Sequence, residues 1–159
     1  MNIKFFSQIF FVFSITLSAF ELQGQEIDNQ FSLLVHKTPT CGCCSAWIEH
    51  IKKAGFHVKS KNVTYGELAG LKRQYGIPLE LSSCHTAFIN NYFVEGHVPA
   101  KDIKALIFEK PEASGLSVPN MPLGSPGMEM GDQKDPYDTL LVKSNGSSRV
   151  FRSHRGIVI

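Results

Sequence analysis

The chain has 159 residues, of which 43% are hydrophobic and 19% charged, and its formal net charge is only +2. That length suffices for one domain with a buried core, and so small a charge does not imply nucleic acid or an anionic membrane as a partner. The basic residues are scattered, without an aromatic-interleaved patch.

After Met1 and Lys4 comes an apolar block, densest from Ile9 to Phe20. About a dozen apolar residues fall short of the roughly 20 that a membrane-spanning helix needs, and they suit the apolar region of a secretory signal. We expect a signal peptide over residues 1–24, cleaved after Gly24 or, as the other candidate, Ala19. A single exported, periplasmic domain over 25–159 would follow, with no membrane insertion once the signal is removed. An uncleaved N-terminal anchor is the competing reading. No cysteine stands near the junction, so nothing points to lipid anchoring.

Phe31 to Val35 is a short apolar run ending near the turn-forming Thr38-Pro39-Thr40, as a buried strand would. Trp47, Ile48, Ile51 and Ala54 recur at helical spacing, which predicts a helix over 46–54 stopped by Gly55, with Trp47 on its inner face. Phe56 to Val63 reads as a second, more exposed strand. Tyr65, Leu68, Leu71 and Tyr75 mark another amphipathic helix, closed by Gly76 and followed by Pro78. Strand, helix, strand, helix predicts a βαβ unit with parallel strands.

His85–Ile89 and Tyr92–Glu95 read as strands joined by Asn90-Asn91, a dipeptide that tolerates left-handed backbone and favours a tight hairpin. A helix over Ala100–Phe108 follows, with Pro99 expected at its first helical position. From Lys110 to Pro136 the sequence breaks into Pro, Gly, Ser and Met without a period, which predicts a long irregular segment. Tyr137–Val142 and Arg149–Phe151 flank Asn145-Gly146, a hairpin signal that should extend the sheet. The expected architecture is α/β and thioredoxin-like, βαβ–α–ββα, with a C-terminal β-hairpin and a long Met/Pro/Gly loop.

Three of the four cysteines, Cys41, Cys43 and Cys44, fall between the first strand and the first helix. A helix N-terminus favours anions, so at least one thiol there should have a depressed pKa. An exported protein with four cysteines would ordinarily hold two structural disulfides, but three thiols in one turn cannot all brace distant parts of a fold. In a thioredoxin-like fold Cys84, just before the third strand, faces that turn, so all four thiols could meet in one pocket. One structural disulfide from Cys84 to a turn cysteine is the plainer alternative.

Thiolates with thioether or imidazole partners suit monovalent copper, and also zinc, while hard oxygen-binding ions are disfavoured. Adjacent Cys43 and Cys44 do not resemble the separated Cys-x-x-Cys pairs of a mononuclear zinc site, so copper, in a thiolate-bridged cluster, fits better. Met121, Met128 and Met130 lie in a segment with no apolar period and are candidate thioether ligands, Met130 the weakest. His85 and His97 are expected beside the thiols as ligands or ligand-orienting groups. His36 is close enough in sequence to swing toward them, His50 and His57 read as surface positions, and His154 is left unassigned. No phosphate-binding loop, Ser-His-Asp set or carboxylate pair suggests a hydrolase.

Four motifs in order, Thr38-Pro-Thr-Cys-Gly-Cys-Cys44, Ser83-Cys-His-Thr86, Glu95-Gly-His-Val-Pro99 and Val118-Pro-Asn-Met-Pro-Leu-Gly-Ser-Pro-Gly-Met128, resemble the CopG-type copper-resistance proteins. These are periplasmic proteins long catalogued as a bacterial domain of unknown function. The resemblance runs from about Phe31 to His154, departing from the pattern at His36, where an aromatic residue is common. It implies a thioredoxin-like fold, copper bound by Cys41, Cys43, Cys44 and Cys84, and a role in copper redox handling alongside other periplasmic copper-handling proteins. His85, His97, Met121 and Met128 are the further ligands it implies. Two other functions compete: a thiol–disulfide oxidoreductase with Cys41 as nucleophile and Cys44 as resolving thiol, and a disulfide-braced module that binds a partner protein.

Overall fold

The computed structural model describes residues 31–155, so the expected signal peptide lies outside the described residues. Its strands are β1 (Ser32–Lys37), β2 (His57–Asn62), β3 (His85–Ile89), β4 (Tyr92–Gly96), β5 (Gly115–Val118), β6 (Tyr137–Val142) and β7 (Ser148–His154). The α-helices among the described residues are α1 (Gly42–Lys53), α2 (Tyr65–Gln74) and α3 (Ala100–Glu109), with a 3₁₀ turn at Leu79–Leu81. The strands form one sheet in the order β2-β1-β3-β4-β5-β6-β7. β1 runs parallel to β2 and β4 parallel to β5, while the β1–β3, β3–β4, β5–β6 and β6–β7 pairs are antiparallel.

Both expected hairpins form, β3–β4 around Asn90 at φ 51° and β6–β7 around Gly146 at φ 80°, and the second extends the sheet as its turn residues require. β2 and β7 are the edge strands, and the exposed Lys59 and Lys61 of β2 make it a poor template for pairing with another chain.

The structure corrects the sequence reading in three places. The segment expected to be irregular contains β5, a short strand whose four residues are all buried between β4 and β6. Gly115 starts it because a Cβ there would run into Phe93, so the residue that looked like a loop signal permits close strand packing. Second, α1 starts at Gly42 rather than Ala46, because Cys41 caps it: its sulfur accepts the Cys44 N–H at 3.3 Å. Cys43 and Cys44 therefore lie inside the first helical turn. Third, Pro99 is the cap of α3, with extended backbone, rather than its first helical residue.

α1 and α3 pack on each other: Trp47 Nε1 donates to Val98 O at 2.9 Å, His50 Nε2 accepts the Ala100 N–H at 3.2 Å, and Lys104 Nζ reaches Ala54 O at 2.7 Å. Ile77, Leu81, Phe93 and Val142 form a separate apolar cluster beneath the 3₁₀ turn, against which Phe88 and Leu140 pack. Phe93 and Val94 are successive residues of β4 and both are buried, so the sheet is covered on its two faces. The thiols sit at one end of this arrangement, where the end of β1, the start of α1 and the start of β3 meet.

Candidate metal centre

The sulfurs of Cys41, Cys43, Cys44 and Cys84 all lie within 4.8 Å of one another. Cys41 and Cys44 are joined as a disulfide, while Cys43 and Cys84 are free. Each end of the disulfide touches a free sulfur: Cys43 Sγ is 3.6 Å from Cys41, and Cys84 Sγ is 3.5 Å from Cys44. Cys44 is fully buried and Cys41 half-buried.

A second group shares Cys84. Its sulfur is 3.3 Å from His85 Nδ1 and 3.1 Å from His97 Nε2, and these three ligand atoms also lie within 4.8 Å of one another. His97 Nδ1 is 2.8 Å from Pro126 O. A carbonyl only accepts, so Nδ1 carries the proton and Nε2 presents its lone pair to Cys84. His85 is fully buried, its ring 4.4 Å from Trp47 and edge-on to His97 at 5.1 Å.

Burial holds both imidazoles neutral. His85 falls well below the usual histidine value through desolvation first, then the unfavourable neighbourhood of His97, Lys72 and Lys37, against a hydrogen bond with the Gly96 backbone. His97 is lowered by desolvation, against the opposing pull of Pro126 O and Glu129. His50 and His36 are lowered too, again mainly by burial. Folded histidines that stay neutral bind fewer protons than unfolded ones, so their share of stability is intact above the unfolded value near 6.5 and is lost as pH falls below it. The urea midpoint of the metal-free protein is therefore expected to drop between about pH 7.5 and about pH 5.5; a midpoint that holds or rises over that interval contradicts this assignment.

Cys41 and Cys44 are bonded to each other and do not titrate. Burial, followed by repulsion from Cys43, pushes the Cys84 thiol up to about 12.

Two supports of the site were not read from the sequence. Glu95, fully buried on β4, accepts from Ser83 N at 2.6 Å and Thr86 Oγ1 at 2.7 Å and pairs with Lys72 of α2. Lys72 Nζ also reaches Ser83 O and Thr86 Oγ1, each at 3.1 Å. The pair thus holds the Ser83 backbone and the Thr86 hydroxyl, on the two sides of Cys84-His85. Burial raises the Glu95 carboxyl above its usual range, although Lys72, Thr86 and Ser83 all pull it down. The readable signal was an acidic residue inside an otherwise apolar strand, Tyr-Phe-Val-Glu-Gly.

The second support is the loop around Gly127. At φ +84° this residue lies so close to α1 that a Cβ would sit 2.6 Å from Trp47 N and 2.7 Å from Cys43 O. Only glycine permits that contact, which places Pro126 O against His97. On the other flank Ser83 Oγ donates to Asn120 O, so the loop meets the site on both sides.

Of the other candidates, Met128 is half-buried beside Gly127, Met121 is 48% exposed beside Asn120, and Met130 is 68% exposed. His36 packs edge-on against Phe88 at 5.8 Å rather than turning to the thiols. His50 is not a surface residue but a half-buried link to α3. His57 is exposed, and His154 bonds to Asp102 at 2.8 Å. Trp47 is core, as expected.

The first group offers only sulfur, the second sulfur with neutral imidazole nitrogen, and neither a carboxylate, donor sets that fit copper or zinc and disfavour calcium or magnesium. Among the described residues no helix is long and apolar enough to cross a membrane.

The profile of a family described as "Protein of unknown function, DUF411" matches residues 81–128, which hold Cys84, His85, His97, Met121 and Met128. No curated protein matches significantly. Two solved structures do. "Copper resistance protein copG, Form 1" is 40% identical with a TM-score of 0.75, over 80% of this chain and 99% of that one. Form 2 is 41% identical with a TM-score of 0.72, over 77% and 97%. With this identity across nearly the whole of both structures, the chain belongs to the CopG copper-resistance family.

Proposed function

We propose that this protein is a periplasmic copper-binding protein of copper resistance, taking up Cu(I) in a thiolate-bridged cluster at Cys41, Cys43, Cys44 and Cys84. The observation that carries this reading is the approach of four sulfurs to within 4.8 Å of one another. His85 and His97 stand at the edge of the cluster, and Met121 and Met128 lie in the loop that meets the site through Asn120 and Gly127. The strand order β2-β1-β3-β4, with β3 antiparallel to both neighbours, supports a thioredoxin-like description of the scaffold. Copper ions, and other periplasmic copper-handling proteins that deliver or accept them, are the partners.

The disulfide supports a further step, interconversion of Cu(I) and Cu(II). Two Cu(II) ions accept the two electrons released when the Cys41 and Cys44 thiols join, giving two Cu(I), one disulfide and two protons; the reverse reaction returns them. Reduced protein titrated with Cu(I) under anaerobic conditions and followed by native mass spectrometry is expected to bind several ions, and a variant with all four cysteines replaced by serine none. Affinity no better than that of glutathione would overturn the proposal.

The Cys41–Cys44 disulfide at a helix N-terminus also favours thiol–disulfide exchange, since the half-buried Cys41 is the accessible sulfur and Cys44 the buried one. A protein that binds no Cu(I) but cycles this disulfide with a protein substrate would establish that function instead.

A further inference from the structure

Cys84 is the one residue common to the two ligand groups. With the Cys41–Cys44 bond in place, the all-sulfur pocket has lost two of its four thiolates, because a disulfide sulfur is no longer the thiolate that binds metal. The other group is untouched by that bond. Cys84 Sγ, His85 Nδ1 and His97 Nε2 remain together, at sulfur–nitrogen separations of 3.3 and 3.1 Å. An ion about 2.0 Å from nitrogen and about 2.3 Å from sulfur sets these atoms about 3.5–3.7 Å apart at tetrahedral to trigonal angles, so the side chains need to open by only a few tenths of an ångström to admit one.

The imidazoles are also prepared for the role. Pro126 O fixes His97 as the tautomer whose Nε2 lone pair faces the sulfur. His85 is held between Trp47 and His97 with its Nδ1 turned to Cys84. Cys43 belongs to the sulfur group but not to this one. One thiolate with two imidazoles is a donor set that supports mononuclear copper in a trigonal site.

We infer that the disulfide selects between two metal sites: a polynuclear all-sulfur site when Cys41 and Cys44 are reduced, and a mononuclear site of Cys84, His85 and His97 when they are joined. The inference rests on the copper-binding reading of the same residues. On binding, the ion replaces the Cys84 thiol proton, so one proton is released for each ion taken up. No electron transfer is needed.

The test uses the full chain with the Cys41–Cys44 bond verified by peptide mapping, and Co(II) alone as a redox-inert probe with visible absorption. The oxidised protein is expected to bind one Co(II) with a sulfur-to-metal charge-transfer band. That band should persist in Cys43→Ser, vanish in Cys84→Ser, and require at least about tenfold more Co(II) in His97→Gln. Absence of the band in oxidised wild-type protein, its survival in Cys84→Ser, or its loss in Cys43→Ser would each overturn the inference. The wild-type comparison does not depend on any variant folding. If reduced protein holds several Cu(I) ions while oxidised protein gives no Co(II) band, the switch fails and the copper reading stands. If reduced protein holds no Cu(I), it is the copper reading that fails.

Discussion

Replacing Glu95 with alanine is expected to destabilise the protein by about 3–5 kcal/mol, the range for breaking a buried ion pair from one side. The carboxylate has no exposure and Lys72 only 12% of its side chain, so water cannot take over the lost contacts. Removing it leaves the ammonium of Lys72 facing no acid and the Ser83 N–H without its 2.6 Å acceptor. Because Ser83 and Thr86 bracket Cys84 and His85, the change should also loosen the loop that carries two of the candidate ligands. Glu95→Gln keeps the hydrogen-bonding outline without the charge and should recover part of the loss. Urea unfolding of the metal-free protein measures both. A loss below about 1 kcal/mol in the alanine variant would show that the pair does not hold this region.

Trp47→Ala is the other large effect, again about 3–5 kcal/mol, as for other buried aromatic truncations. Its side chain is completely buried, donates to Val98 O at 2.9 Å, and packs on the His85 ring. The substitution therefore opens a cavity in the core and removes one wall around a candidate ligand. Trp47→Phe separates the two contributions: it retains most of the packing and forfeits the hydrogen bond, at a cost of about 1–3 kcal/mol for the stranded carbonyl. Thermal or urea unfolding of the two variants is the check, and equal losses in both would place the whole effect in the hydrogen bond rather than in packing.

Local chemistry made much of the fold readable. Asn90-Asn91 and Asn145-Gly146 announce their hairpins because few other residues accept positive φ, and the helices announce themselves through apolar spacing. What escaped was set by partners distant in sequence. β5 is a strand because β4 and β6 flank it, and its glycine and serine carry no strand signal of their own. The start of α1 was misplaced because a cysteine sulfur serves as its cap, a role usually filled by oxygen. At the site, the clustering of Cys41, Cys43 and Cys44 was visible as spacing. The pairing of Cys41 with Cys44 was one option among several, and the sequence had no means of ranking them. The Lys72–Glu95 clamp and the tether from Pro126 to His97 join residues 23 and 29 positions apart, so no local pattern betrays them.

The glycine contact at position 127 bears on how this site could be moved to another protein. The orientation of His97 is imposed by a carbonyl that reaches it only because the next residue has no side chain. Copying the cysteine turn, the Cys84-His85 pair and His97 into a different sheet would reproduce the sulfurs but leave that imidazole free to rotate. A working graft must also carry the segment Ser125–Met128 and the helix backbone it rests on, so the smallest transferable unit is four separate pieces of chain rather than a motif.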